Sequence, residues 1–168
     1  MSTPTARLWA PWRSAYLIRA SRRSSPCIFC LAKRSRNDRK ALVIYRGRTV
    51  FGLLNRYPYN NGHLMVTVYR HLNDLSRLTQ EETTELMAVT TLLIRRLTRL
   101  LHPHGFNIGL NLGRAAGAGI PGHLHWHLVP RWNEDTNFMP VTAHTKVISE
   151  SLEALYDRLH ASTVGTSR

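Results

Sequence analysis

A chain of 168 residues with 43% hydrophobic side chains is long enough for a real core, and its apolar runs are too short and interrupted to span a bilayer. The charge is lopsided, 23 Lys+Arg against 10 Asp+Glu for a net +13, with Asp38 the only acid among the many Arg and Lys residues of 1–49. Such a surface attracts polyanions, whether nucleic acid, acidic lipid or a small polyphosphate, and charge alone does not choose among them.

The N-terminus is rich in Arg and Ser, like an organelle transit peptide. Leu8, Trp9, Trp12, Tyr16, Leu17 and Ile18 instead predict a segment packed onto the domain, so residues 1–40 are read as a basic segment covering it. Ser21–Lys40 is the most linker-like stretch, yet it holds the only cysteines, Cys27 and Cys30. A disulfide across two residues would stabilise little, and metal binding or redox chemistry suits a C-x-x-C in a reducing, cytoplasmic setting.

Leu42–Tyr45 and Arg48–Asn55 read as strands separated by the turn Arg46-Gly47. Tyr57–Gly62 is a loop ending in Asn-Gly, and His63–Tyr69 returns as a strand. The clearest helix runs from Gln80 to Leu101: Thr79 and Glu82 form a capping box, and Leu86, Val89, Leu93, Leu97 and Leu100 make one apolar stripe. Arg95, Arg96 and Arg99 complement its negative end, and Pro103 and Gly105 stop it. Phe106–Leu112 and His123–Pro130 are strands joined by the glycine-rich run Gly113–Gly122, a wide hairpin. An amphipathic helix over Lys146–His160 ends the domain, 41–160, and 161–168 is read as a flexible tail. The outline is α+β, a mostly antiparallel five-stranded sheet with one long helix and a C-terminal helix.

Alternate residues of a strand share a face, so His123, His125 and His127 are expected to project together. Three neighbouring imidazoles need an organiser, because they repel when protonated and lose solvation when buried. Zinc is one: two nitrogen ligands would close a tetrahedral site begun by Cys27 and Cys30. Nine histidines offer many pairs, and His71, before the Leu72-Asn73-Asp74 turn, and His123 are candidates. The glycine-rich connection is the other: Gly113, Gly117, Gly119 and Gly122 let backbone N–H groups approach an anion, without the Gly-Lys-Ser/Thr of a Walker loop. Phosphate beside imidazole suggests attack by histidine on phosphorus, forming a phosphoramidate that a second acceptor cleaves.

These residues resemble the histidine-triad (HIT) superfamily of nucleotide hydrolases and transferases, whose hallmark is His-φ-His-φ-His-φ-φ with φ apolar. Here it reads His123-Leu124-His125-Trp126-His127-Leu128-Val129. Leu54-Asn55-Arg56-Tyr57-Pro58 and Gly62–Val66 are similar to the family's ribose-contacting and return strands. Leu8–Arg13, Cys27-Ile28-Phe29-Cys30, Ala116–Ile120 and Asn137–Pro140 resemble the bacterial branch related to diadenosine tetraphosphate phosphorylases and hydrolases. The resemblance implies His125 as nucleophile and His127 as its helper at the phosphate. It implies Asn55 on the ribose, and Asn111, Gly117, Gly119 and Ile120 at the phosphate. It also implies a structural zinc on Cys27, Cys30, His71 and His123, and a homodimer or larger homo-oligomer.

The implied reaction is cleavage of a dinucleoside polyphosphate through a nucleotidyl-His125 intermediate, with phosphate or water as acceptor. Trp126 replaces a polar residue of some phosphorylase-like members, and Gly119-Ile120 stand where several eukaryotic members carry Gln–Ser or Gln–Thr. Rival readings are hydrolysis of nucleoside phosphoramidates or other adenylylated small molecules, a catalytic metal held by all three histidines, and a nucleic-acid-binding zinc module.

Overall fold

Thr79 starts the longest element as the sequence predicts: its hydroxyl accepts the Glu82 N–H, and the Glu82 carboxylate accepts the Thr79 N–H in return. The computed structural model describes residues 26–136 and 147–164. The tryptophan-bearing segment Leu8–Arg13, the run Asn137–Pro140, the expected helix start at Lys146 and residues 165–168 lie outside those bounds. Among the described residues no helix is long and apolar enough to cross a membrane.

The elements are α1 (Ile28–Arg34), α2 (Asp38–Ala41), β1 (Val43–Arg46), β2 (Val50–Leu54), β3 (Leu64–Val68), α3 (Gln80–Leu101), β4 (Gly105–Leu110), β5 (His125–Arg131) and α4 (Leu152–Val164). The five strands form one sheet in the order β1-β2-β3-β5-β4, and each ladder is antiparallel. The β4–β5 pairing is the wide hairpin expected across the glycine-rich connection.

Two cores result from strand alternation. On one face Val50, Leu54, Leu64, Val66 and Leu128 meet Leu86, Val89, Leu93 and Leu97 of α3, with Leu155, Tyr156 and Leu159 of α4 closing the end. On the other, Val43, Phe51, Leu53 and Met65 pack against Phe29 and Ala32 of α1, with Ala41, Tyr69 and Ile120 at the margin of this smaller core. Pairing puts Met65 opposite His127 and Thr67 opposite His125, so both histidines lie on this second face.

Several boundaries differ from expectation. The linker-like stretch contains α1 and α2, because Phe29 and Ala32 are buried and Asn37 caps α2 by accepting the Lys40 N–H. Strand β2 starts at Val50 because the Glu85 carboxylate accepts the N–H groups of Arg48 and Thr49, holding both in the turn. Gly105 begins β4, and α3 is stopped instead by His102 in the left-handed region at φ 48°. Helix α4 starts at Leu152, with the Ser151 hydroxyl accepting the Ala154 N–H, so Val147 and Ile148 precede it. It continues past His160 to Val164, four residues into the expected tail.

Candidate active site and metal cluster

The three histidines do not share one strand. His123 lies in the turn before β5, because the Leu124 N–H pairs with the Leu72 carbonyl at 2.8 Å instead of joining a ladder. The Thr67 hydroxyl donates to the Leu124 carbonyl at 2.6 Å and pins the same segment from beneath. His125 and His127 remain neighbours on the site face, ring centroids 5.0 Å apart and edge to face.

This displacement turns His123 toward the cysteines. Its Nδ1 is 3.3 Å from Cys27 Sγ and 3.8 Å from Cys30 Sγ, and His71 Nδ1 is 3.3 Å from Cys30 Sγ. The four ligand atoms lie within 4.8 Å of one another. A tetrahedral zinc with its usual bond lengths separates ligand atoms by roughly 3.3–3.8 Å, so this cluster has the donor set and nearly the spacing for it. The His123 Nε2–H donates to the Val68 carbonyl at 2.9 Å, which leaves the Nδ1 lone pair facing the thiols. Burial raises the Cys27 thiol pKa, so a thiolate there needs a cation beside it.

Helix α1 connects the cluster to the triad. Cys27 is its N-cap and Cys30 stands one turn on, bringing both thiols to the same side. Between them Phe29, fully buried, packs against the rings of His123 and His125 at 5.1 and 4.9 Å. At the other end the Arg46 guanidinium donates to the carbonyls of Ala32, Lys33 and Ser35 while paired with Asp38.

Hydrogen bonds define the protons of the histidine rings. A carbonyl only accepts, so the 2.7 Å contact between His125 Nδ1 and the His123 carbonyl places the proton on Nδ1 and leaves the Nε2 lone pair free. The Tyr59 N–H donates to His63 Nδ1 at 3.0 Å, so the His63 proton is on Nε2. That Nε2–H points at His127 Nδ1, 2.9 Å away, and His127 therefore carries its proton on Nε2. Burial first, and then the neighbouring imidazoles, lower His63 to about 3 and His127 to about 4. His125 is lowered mainly by burial. These rings are neutral at pH 7, with one lone pair and one N–H facing the site.

The sequence reading missed His63, which completes this chain, and Tyr59, whose backbone orients it. Gly62, at φ +76°, makes the turn that delivers His63 to the sheet.

The other expected site residues fall in two places. Asn55 borders a cavity of about 650 Å³ walled by Ile28, Leu31, Leu53 and Met65. Its Oδ1 accepts the Tyr57 N–H at 2.9 Å, and its Nδ2 is 3.3 Å from His63 Nδ1. Asn111 borders a separate groove of about 340 Å³ beside His127. In the connecting loop Gly117, at φ +83°, makes a turn, and its N–H is engaged by the Arg114 carbonyl. Among the described residues the N–H groups of Gly119 and Ile120 have no such partner.

Residues 36–134 match the HIT domain family model. The chain is 44% identical over 152 residues to an AP-4-A phosphorylase of Mycobacterium tuberculosis, covering 87% of this chain and 78% of that protein. A hypothetical histidine triad nucleotide-binding protein of Sulfolobus tokodaii superposes with a TM-score of 0.66 at 23% identity, covering 84% and 95% of the two chains. A zinc-bound histidine triad family protein of Mycobacterium smegmatis superposes at 0.59 and 24% identity, covering 92% and 96%. The chain belongs to the HIT superfamily, in the branch of the AP-4-A phosphorylase-like members, and is a nucleotide hydrolase or transferase.

Proposed function

We propose that this enzyme cleaves a dinucleoside polyphosphate of the diadenosine tetraphosphate type by phosphorolysis, carrying the nucleotidyl group on His125 Nε2. The observation that carries this reading is the bond from His125 Nδ1 to the His123 carbonyl, which leaves Nε2 as a neutral nucleophile. The apolar cavity beside Asn55 suits one adenosine, with Asn55 at the ribose, and its volume is within the range of small-molecule sites. The phosphorus then lies between His125 and His127, near Asn111 and the N–H groups of Gly119 and Ile120, which stabilise its oxygens.

In the first step the His125 Nε2 lone pair attacks the phosphorus bearing the adenosine. The P–N bond forms, the P–O anhydride bond breaks, and ATP leaves with that oxygen's electron pair. The His127 Nε2–H hydrogen-bonds the departing oxygen, and no full proton transfer is needed because a phosphoanhydride leaving group is already a good one. The positive charge on His125 is shared with the His123 carbonyl through Nδ1–H. In the second step an oxygen of inorganic phosphate attacks the same phosphorus, the P–N bond breaks, and ADP forms with His125 restored.

The His127 tautomer supports phosphate over water as the acceptor. Its Nε2 carries a hydrogen and its Nδ1 lone pair faces His63, so it has no free base to take a proton from water. Phosphate arrives as an anion and needs none. The name of the 44% identical relative, a phosphorylase, supports the same acceptor.

Cys27, Cys30, His71 and His123 would hold a zinc whose four protein ligands leave no open position, so its role is structural. When bound, it keeps the thiols ionised and ties α1 to the sheet. The edge strand β4, with Ile108 half exposed, supports pairing with a second copy of the chain in a homodimer.

Incubation with diadenosine tetraphosphate, with and without inorganic phosphate, tests the reaction. Phosphate-dependent release of ADP and ATP is expected. AMP and ATP produced equally well without phosphate would show that water is the acceptor, and no cleavage would refute the substrate.

A further inference from the structure

The groove beside His127 is distinct from the adenosine cavity beside Asn55. Asn55 approaches the His63–His127 pair through His63, whereas the groove borders His127 itself. Strand β4 forms its floor. Register places Gly109 opposite His127 and Asn107 opposite Val129, so Asn107 and Gly109 lie on the site face. Among the described residues a Cβ added at Gly109 would meet nothing within 4 Å, so they leave the floor next to His127 bare.

The wall is aromatic. Tyr59 is 51% exposed, and its ring lies nearly parallel to that of His127, with centroids 5.6 Å apart and an interplanar angle of 26°. The groove also has little net charge. Arg131 lines it, but its guanidinium is met by both oxygens of Asp135, at 2.6 and 2.9 Å, and also donates to Asn107 Oδ1. The Asn107 and Asn111 amides remain as polar groups along the floor and mouth. An aromatic wall, amides and a neutralised arginine suit an uncharged planar group better than a small inorganic anion.

We infer that this groove binds the second nucleoside of the substrate, the one that departs on the leaving nucleotide, with its base against Tyr59. The inference rests on the proposed dinucleoside substrate and adds what that reading lacks, a site for the half of the molecule that never reaches His125. In-line displacement requires the leaving oxygen to depart opposite His125 Nε2. With His127 at that oxygen, the rest of the leaving group runs into the groove. The site makes the enzyme selective for substrates with a nucleoside at both ends.

The test compares non-cleavable methylene-bridged analogues of diadenosine tetraphosphate and of adenosine tetraphosphate capped as its terminal methyl ester, which match in charge and differ in the second adenosine. Binding to the wild-type chain, read by calorimetry, should favour the dinucleoside by about tenfold, the scale of one stacked base. Gly109→Val puts a strand-compatible side chain on the bare floor and should reduce that preference to about twofold or less. Tyr59→Leu, which removes the stacking wall, should do the same. Equal wild-type affinities, or a preference that survives both substitutions, would overturn the inference. Because binding alone is measured, the result is independent of whether turnover uses phosphate or water.

Discussion

The two faces of the sheet are covered by helices held in different ways. Helix α3 has 22 residues, a capping box, and Leu86, Val89, Leu93 and Leu97 buried along one stripe. Helix α1 has seven residues, and its N-cap Cys27 makes no side-chain capping bond. Seven residues are well below the length at which a helix persists alone, so α1 depends on what it touches. Those contacts are Phe29 and Ala32 in a small core, Arg46 across its C-terminal carbonyls, and two thiols facing His71 and His123. The face covered by α3 is secured by burial, whereas the face bearing the histidines relies on a few polar bonds and, in the proposed form, on zinc ligation.

The largest expected effect comes from removing that ligation. Cys30→Ser should lose bound zinc and lower the melting temperature by roughly 10 °C, the scale of several kcal/mol in a chain of this size. Turnover should fall too, because α1 carries Phe29 against His125 and Ile28 and Leu31 along the cavity beside Asn55. A variant without zinc that melts and turns over like wild type would show that ligation does not hold α1 in place.

Next is the histidine relay. His63→Asn should reduce kcat by roughly 10²-fold, the low end for a proton-handling group, with KM little changed. His127 would lose the donor that fixes its tautomer while the cavity beside Asn55 stayed intact. A rise in KM at constant kcat would instead make His63 a substrate-binding residue.

Acid lability should reveal the same pair. His63 and His127 have folded pKa values of about 3 and 4, below the ordinary 6.5. Between pH 6.5 and about 4 the unfolded chain therefore binds protons that the folded chain does not, and stability must fall as the pH drops through that window. Melting temperatures from pH 7 to 5 should decline less steeply in His127→Asn than in wild type. An identical slope would mean these rings are not the acid-sensitive groups.

The smallest effect belongs to the packed face. Thr79→Ala should cost about 1 kcal/mol in denaturant unfolding and leave turnover unchanged, because the capping box lies away from the histidines. A loss of activity beyond that of stability would couple the faces more tightly than their separate cores suggest.

What the sequence revealed follows the same division. Helix α3 was legible to its ends, since its caps and stripe are local signals. The His–Leu–His–Trp–His pattern was legible as a candidate site. Helices α1 and α2 were not, because their stability is tertiary and their composition resembles a linker. The departure of His123 from β5 was hidden for the same reason, since it depends on a bond from Leu124 to Leu72 across the fold. His63 lay on an expected strand, but its role needs the β3–β5 register that brings it to His127. Val147 and Ile148 fitted a helical stripe, and Ser151 was the cap signal that would have shortened it.

If His125 carries the nucleotidyl group, the adenylylated enzyme can be trapped before phosphate discharges it. The chain should be mixed with diadenosine tetraphosphate without phosphate, quenched at alkaline pH and mapped by peptide mass spectrometry. An adenylyl group is expected on His125, discharged as ADP when phosphate is added before the quench. Cleavage with no adduct, or an adduct on a different residue, would contradict it.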